Sequence, residues 1–286
     1  IRSKNIFIRT ILHCLIMAFL FIIFCSVQYA QQKEDVSLDH ADSLVGLEIN
    51  GEKARQLIGH VRLHQGSTII TCDSAIQYLA TQKILMQGVV EIRDDTLRMV
   101  GASGIYYPDL RIAEAFDRVL LEEPGTILQA GYGKYFVNEK KAYFKTNVLV
   151  EDSTSVLTAT ELTYFREDQK SIAEGNVKIV NAKNGITIFG DHFENYKKNH
   201  YSKVTGKPRL IQIDKNQKEK TDTLEVTAKL LESYQDTVER LVATDSVRII
   251  RGDLAAEAGH CTYFTDLDSI ILKRQPFIWY TSGGSD

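Results

Sequence analysis

Apolar and polar positions alternate along most of this chain, and the alternation itself recurs at a fixed interval. A five-residue phrase with apolar residues at its third and fifth places reads Gly59-His60-Val61-Arg62-Leu63. It returns as Gly88-Val89-Val90-Glu91-Ile92, Asp117-Arg118-Val119-Leu120-Leu121, Thr146-Asn147-Val148-Leu149-Val150 and Gly175-Asn176-Val177-Lys178-Ile179, each start 29 residues after the last (88−59, 117−88, 146−117, 175−146). It comes back at Gly206 after 31 residues, at Asp245 after 39, and begins once more at Arg274. Such a period marks an array of supersecondary units, none of which can bury its apolar face alone.

Period-two alternation of Val, Ile and Leu predicts strands. A second run in each unit carries Ile70, Met99, Leu128 and Leu157, followed two places later by the small residues Cys72, Gly101, Ala130 and Ala159, which mark a tight place. That run closes on an aromatic column, Tyr78, Tyr107, Phe136, Phe165 and, after two extra residues, Tyr196. A polar stretch and a short apolar pair follow, such as Ile84 and Met86, Ala142 and Phe144, or Ile270 and Leu272. Each unit is therefore two or three strands separated by polar turns. The weak helical spacing at Val226 to Leu231 also fits a strand, and the polar insertion from Asp214 to Thr221 reads as a lengthened, solvated turn.

Residues 1–30 are of another kind. Arg2, Lys4 and Arg9 precede an apolar stretch from Ile11 to Val27, the pattern of a secretory signal peptide, with an uncleaved anchor as the alternative. Phe24 sits where lipidation of Cys25 would need a small residue. Residues 31–40 read as a polar linker, and 41–286 as the repeat domain. The chain starts at Ile1 and stops at Asp286 within an eighth unit, so both ends read as truncated. Cys72 and Cys261 fall in the first and seventh units. With strands about 4.8 Å apart they are separated by at least roughly 29 Å, against a limit of about 7 Å for bridged Cα atoms. Two buried free cysteines, or bridges to other chains, are expected.

Composition excludes several classes. With 44% hydrophobic residues, 25% charged, 18 Gly and 4 Pro, the chain is neither disordered nor collagen-like. A net charge of −3 with interspersed signs provides no basic stripe for nucleic acid. His192 and His200 match no metal-ligand spacing and read as residues of a solvated turn. The acid pairs Asp94-Asp95 and Glu122-Glu123 recur in the same turn of successive units, so they read as solvated turn acids and not as a glycosidase pair. No catalytic residue, metal site or cofactor is expected.

The phrase Thr71-Cys72-Asp73-Ser74-Ala75-Ile76-Gln77-Tyr78, followed by Gly88-Val89-Val90-Glu91-Ile92 and Asp95-Thr96-Leu97, resembles the OstA-like (LptA) family, which includes the N-terminal domain of LptD. The family's Gly-Asn-Val is literal at Gly175-Asn176-Val177, while Asp117, Thr146 and Asp245 replace the glycine. The resemblance implies an all-β, open and slanted β-jellyroll of mostly antiparallel strands. It also implies export to the periplasm, in association with the inner or outer membrane, and carriage of lipopolysaccharide towards the outer membrane. Lipid A acyl chains would lie in an apolar groove, lined on the register of the columns by Val90, Ile92, Met99, Val119, Leu121, Leu128, Val148, Val150 and Leu157. Partners would be other Lpt-type proteins, or copies of the chain joined by edge-strand pairing. Two other architectures fit the period: a parallel β-helix whose aromatic column stacks on carbohydrate, and a structural envelope array whose interior is only core.

Overall fold

The computed structural model describes residues 34–214, 222–267 and 269–280. The expected signal segment, Cys25 and most of the polar insertion lie outside the described residues. The chain divides into two compact units, Ile1–Asp35 and Val36–Asp286, and all that follows concerns the second. Its strands are β1 (Ser37–His40), β2 (Ser43–Ile49), β3 (Glu52–Gln65), β4 (Thr68–Tyr78), β5 (Ile84–Asp94), β6 (Leu97–Tyr107), β7 (Ile112–Glu123), β8 (Thr126–Phe136), β9 (Lys141–Asp152) and β10 (Ser155–Phe165). They continue as β11 (Lys170–Asn181), β12 (Ile186–Tyr196), β13 (Tyr201–Thr205), β14 (Arg209–Asp214), β15 (Asp222–Thr227), β16 (Leu230–Tyr234), β17 (Arg240–Arg251), β18 (Leu254–Phe264), β19 (Ser269–Lys273) and β20 (Phe277–Tyr280).

From β3 to β12 each strand pairs with the next in sequence, and every pairing in the sheet is antiparallel. A parallel β-helix is thereby excluded, and the all-β antiparallel expectation holds. Each 29-residue unit is two strands, not three, because the short apolar pair and the next opening phrase belong to one strand, as Ile84 and Val90 do in β5. Residues 37–40, expected in a linker, form β1 against the end of β3, since Leu38 continues the alternation and packs on the core. The stretch with weak helical spacing is strand in β15 and β16, paired to β17.

The opening phrase supplies a kink. Its first two residues are left-handed in unit after unit: Gly59 and His60 (φ 76° and 45°), Asp117 and Arg118 (58° and 51°), Thr146 and Asn147 (70° and 53°), Gly175 and Asn176 (74° and 51°). There two residues of one strand oppose one of its neighbour, as Asp117 and Arg118 do between the pairs Phe116↔Tyr132 and Val119↔Ala130. Such bulges bend a strand, and because they align across the array the whole sheet folds along one crease into two leaves. The first leaf carries residues such as 84–87 and 103–107, the second 90–94 and 97–101. The small column sits beside this crease. A Cβ on Gly101 would come within 3.0 Å of the Ala115 Cβ, and one on Gly133 within 2.9 Å of Val119 Cγ1.

That the leaves close on each other follows from one bond. Tyr135 lies nine residues along β8 from Thr126, the residue at the level of the second leaf's outer end, about 30 Å away if the strand were straight. Yet its hydroxyl donates to Asp94 Oδ2, at the second leaf's outer end, at 2.5 Å. Each leaf thus covers the other's apolar face, and Leu63, Ile84, Ile92, Met99, Ala142 and Phe144 are all 0% exposed.

Cys72 and Cys261 are both free and buried. Burial first, and the Asp73 carboxylate second, push the Cys72 thiol up to about 12; burial pushes Cys261 up to about 11. Since the thiolate is the reactive form, neither is expected to react with a maleimide in the native protein near pH 8, and both should react in denaturant. Peptide mass spectrometry after labelling checks this.

Candidate functional site

The nine residues expected to line a groove are on inward faces, and all nine belong to the second leaf. Val90, Ile92 and Met99 are fully buried, Val119, Leu121, Leu128, Val148 and Leu157 are buried, and Val150 is half-buried. The opposite wall comes from the first leaf, where Met86, Tyr106, Ala115, Tyr135, Phe144 and Leu162 face them. Of these, Met86 and Phe144 were legible as apolar pairs. The burial of Tyr106 and Tyr135 was not, because they stand one place before the aromatic column and look polar at the tip.

Those tyrosines hold the outer ends of the two leaves together along a seam. At its first station Tyr106 donates to Gln65 Oε1, Gln65 Nε2 donates to the Pro108 carbonyl, and Arg111 Nη2 donates to the Gln65 carbonyl. At the second, Asp94 accepts from Tyr135, from Lys140 Nζ at 2.6 Å and from Ser67 at 3.2 Å. At the third, Glu123 accepts from Arg166 Nε at 2.5 Å, and its carboxylate, after burial, raises the neighbouring Tyr164 phenol. Arg166 Nη1 also donates to Tyr135 at 3.0 Å, which ties the second and third stations.

The reading of Asp94 and Glu123 as solvated turn acids is therefore wrong. Asp94 is 0% exposed and Glu123 is largely covered. The turn they end is solvent-facing, but the period-two pleat points these two side chains inward while Asp95 and Glu122 stay outside. Burial alone would raise the Asp94 carboxyl. Hydrogen bonds from Lys140 and Tyr135, with the Lys140 charge, outweigh it and hold the carboxyl below its ordinary value. Burial first, then the Asp94 hydrogen bond, raises the Tyr135 phenol, so both groups keep their present protonation at neutral pH.

Beyond the third station the seam parts. A cavity of about 900 Å³ has Leu121, Leu128, Val150 and Leu162 in its floor, with Asp95, Glu123 to Thr126 and Asp152 to Thr154 along one lip. Arg166, Glu167, Gln169, Asn195, Lys197, His200 and Gln235 form the other lip. A second cavity of about 200 Å³ shares Asp152, Thr154, Asn195, His200 and Gln235, and runs over Ile179, Ile186, Ile188, Phe193, Val204 and Leu210. Val150, Ile179 and Ile188 are only partly covered here, whereas their counterparts near the first stations are sealed. An aliphatic floor with a few convergent polar groups is the usual composition of a small-molecule site, and the larger volume lies in the usual range of about 300–1,000 Å³.

The remaining candidates do not join this site as chemistry. His192 lies within β12, not in a turn, beside Glu194 at 3.1 Å and Glu174 at 3.5 Å. His200 caps the short 3₁₀ turn Lys197–Asn199 in a left-handed conformation. Among the described residues no group of three or more His, Cys, Asp and Glu could hold a metal ion, and no helix is long and apolar enough to cross a membrane. The aromatic column faces outward, with Lys83 over Tyr107, Lys141 over Phe136 and Lys170 over Tyr196 at 4.3–5.9 Å. Those rings each have a face taken by a cation, which leaves less for stacking on a sugar.

The sequence matches the model of the OstA-like protein family over residues 33–191. No curated protein matches it. Among solved structures it is similar to LptH, described as the LptA homologous periplasmic component of the conserved lipopolysaccharide transport device from Pseudomonas aeruginosa. That pair shares 12% identity over 44% of this chain and 93% of that one, with a TM-score of 0.39.

Proposed function

This chain belongs to the OstA-like protein family, and from that premise we propose that it is a periplasmic lipopolysaccharide-transport protein of outer-membrane assembly. It shelters lipid A acyl chains between its leaves and bridges towards the outer membrane by pairing its edge strands with like partners. The observation that carries the reading is the apolar interior opening through a parted seam over Leu121, Leu128 and Val150. Burying a methylene stabilises by about 0.8 kcal/mol, so a multi-chain lipid crossing water needs continuous cover, and stacked apolar columns supply it.

Site-specific photocrosslinking tests the reading. A probe at Leu121 or Val150 is expected to yield a lipopolysaccharide adduct in cells, and one at the outward, exposed Arg93 is expected to yield none. A folded, exported protein that gives no adduct from either inward position would instead be an array whose interior is only core.

A further inference from the structure

The seam parts at a defined place in the sequence. Gln65, Asp94, Glu123 and Asp152 form one column at the 29-residue spacing, and the tyrosines that meet the first three are Tyr106, Tyr135 and Tyr164. After the two extra residues of the fifth unit, the next place in the tyrosine column is Asn195. The cations do not keep to one column: Arg111 serves Gln65 and Lys140 serves Asp94, but at the third station that column holds Gln169 and Arg166 serves Glu123 instead, and opposite Asp152 the two corresponding places hold His200 and Lys197. The tyrosine of the fourth station is thus replaced by a residue too short to span the seam in the same way.

Asp152 behaves accordingly. Its carboxylate accepts from the backbone N–H groups of Thr154 and Ser155, both at 2.8 Å, and from their hydroxyls, all within its own turn. Among the described residues it makes no hydrogen bond across the gap. Asp152, Thr154, Asn195, His200 and Gln235 are the residues the two cavities share, so the missing station is where the interior meets solvent. The lip opposite Asp152 is held together by backbone bonds: Gln235 N–H donates to the His200 carbonyl at 2.9 Å, and Lys197 N–H to the Gln169 carbonyl at 3.1 Å.

Resting on the lipid reading above, we infer that the gap between Asp152–Ser155 and Asn195–His200 is the lateral port for an acyl-chain amphiphile. The chains lie on Val150, Ile179 and Ile188, and the hydroxyl-bearing or charged head stays at a rim that offers both donors and acceptors. The three stations before the port are latches, and the interior behind the first two, with Val90, Ile92 and Met99, is permanent core that carries no ligand. An apolar floor beneath a hydrogen-bonding rim matches one ligand molecule with both characters.

The test closes the port in two independent ways and reads a photocrosslinker at Ile188, which is half-buried beneath it, against purified lipopolysaccharide. Asn195→Tyr, alone and with His200→Arg, restores the missing station. In parallel, Thr154→Cys with His200→Cys allows the lips to be bridged by a cleavable bismaleimide, with the bridge verified by peptide mass. Both closures are expected to lower the adduct yield roughly tenfold, as when a binding-competent state falls to about a tenth of the population, and cleaving the bridge should restore it. Undiminished yield with the bridge in place overturns the port while leaving the lipid reading intact. Absence of any adduct in the unaltered protein overturns the lipid reading and the port with it.

Discussion

Asp94→Ala is expected to destabilise the protein by about 3–5 kcal/mol, the range for removing one partner of a buried ion pair. The loss is large because the carboxylate is fully buried and several donors converge on it: Tyr135, Lys140 and Ser67, with Arg166 Nη1 3.7 Å away. Without it, Lys140 and the buried Tyr135 hydroxyl lose their acceptor at the second latch. Asp94→Asn should cost less, since an amide oxygen still accepts from Tyr135, while Lys140 keeps only the exposed Asp95 carboxylate at 3.4 Å to meet its charge. Urea unfolding of the three proteins measures the order. The acid side follows by linkage. The folded carboxyl titrates below its ordinary value of 3.8, so its contribution is complete above that value and is lost as pH falls through the lower folded value. The gap between wild type and Asp94→Ala should therefore be constant at neutral pH and shrink below about pH 4. A gap that stays unchanged in acid would show that the charge is not what the latch uses.

Gly175→Thr is expected to cost about 2–5 kcal/mol, combining roughly 1–2 for a β-branched residue forced left-handed with about 1–3 for overpacking. Gly175 has φ 74°, and a Cβ there would come within 2.9 Å of the Thr160 Cβ. The array itself contains the remedy. Where the kink residue is Thr146 or Arg274, the residue opposite is Gly131 or Gly259, and a Cβ on either would meet the kink residue's own Cβ at 3.0 or 2.7 Å. In these three pairs one member carries the side chain and the other is glycine. Adding Thr160→Gly to Gly175→Thr should therefore recover the overpacking part, about 1–3 kcal/mol, and leave the left-handed strain. A double-mutant cycle reads the coupling directly, and additive losses would mean that crowding at the crease is not what selects glycine.

Much of the architecture was legible. The alternation in the columns headed by Val61 and Leu63 predicted strands, their stacking predicted an array, and the small column at Cys72, Gly101 and Ala130 predicted a tight place that proved to be the crease. The site was legible by half. The groove residues taken from the columns were all of the second leaf, because the repeat's most regular phrase lies there. The wall facing them, and the latches that seal part of the interior, were not found. Asp94 and Glu123 looked like turn acids because sequence neighbours are all that a column shows. Their partners Tyr135 and Arg166 stand 41 and 43 residues on, one strand pair further along and on the other leaf.

By itself the sequence determined the period, the strands, the inward register and the tight place at the small column, since each is a local property of side-chain size and alternation. Only the tertiary structure decided which apolar surface is sealed and which is open. That depends on whether two leaf edges, far apart along a straight strand, meet through a tyrosine and a cation, as at Asp94, or fail to meet, as at Asp152. Closure across a folded sheet is set by pairs of residues on different strands, and alternation along one strand carries no record of them.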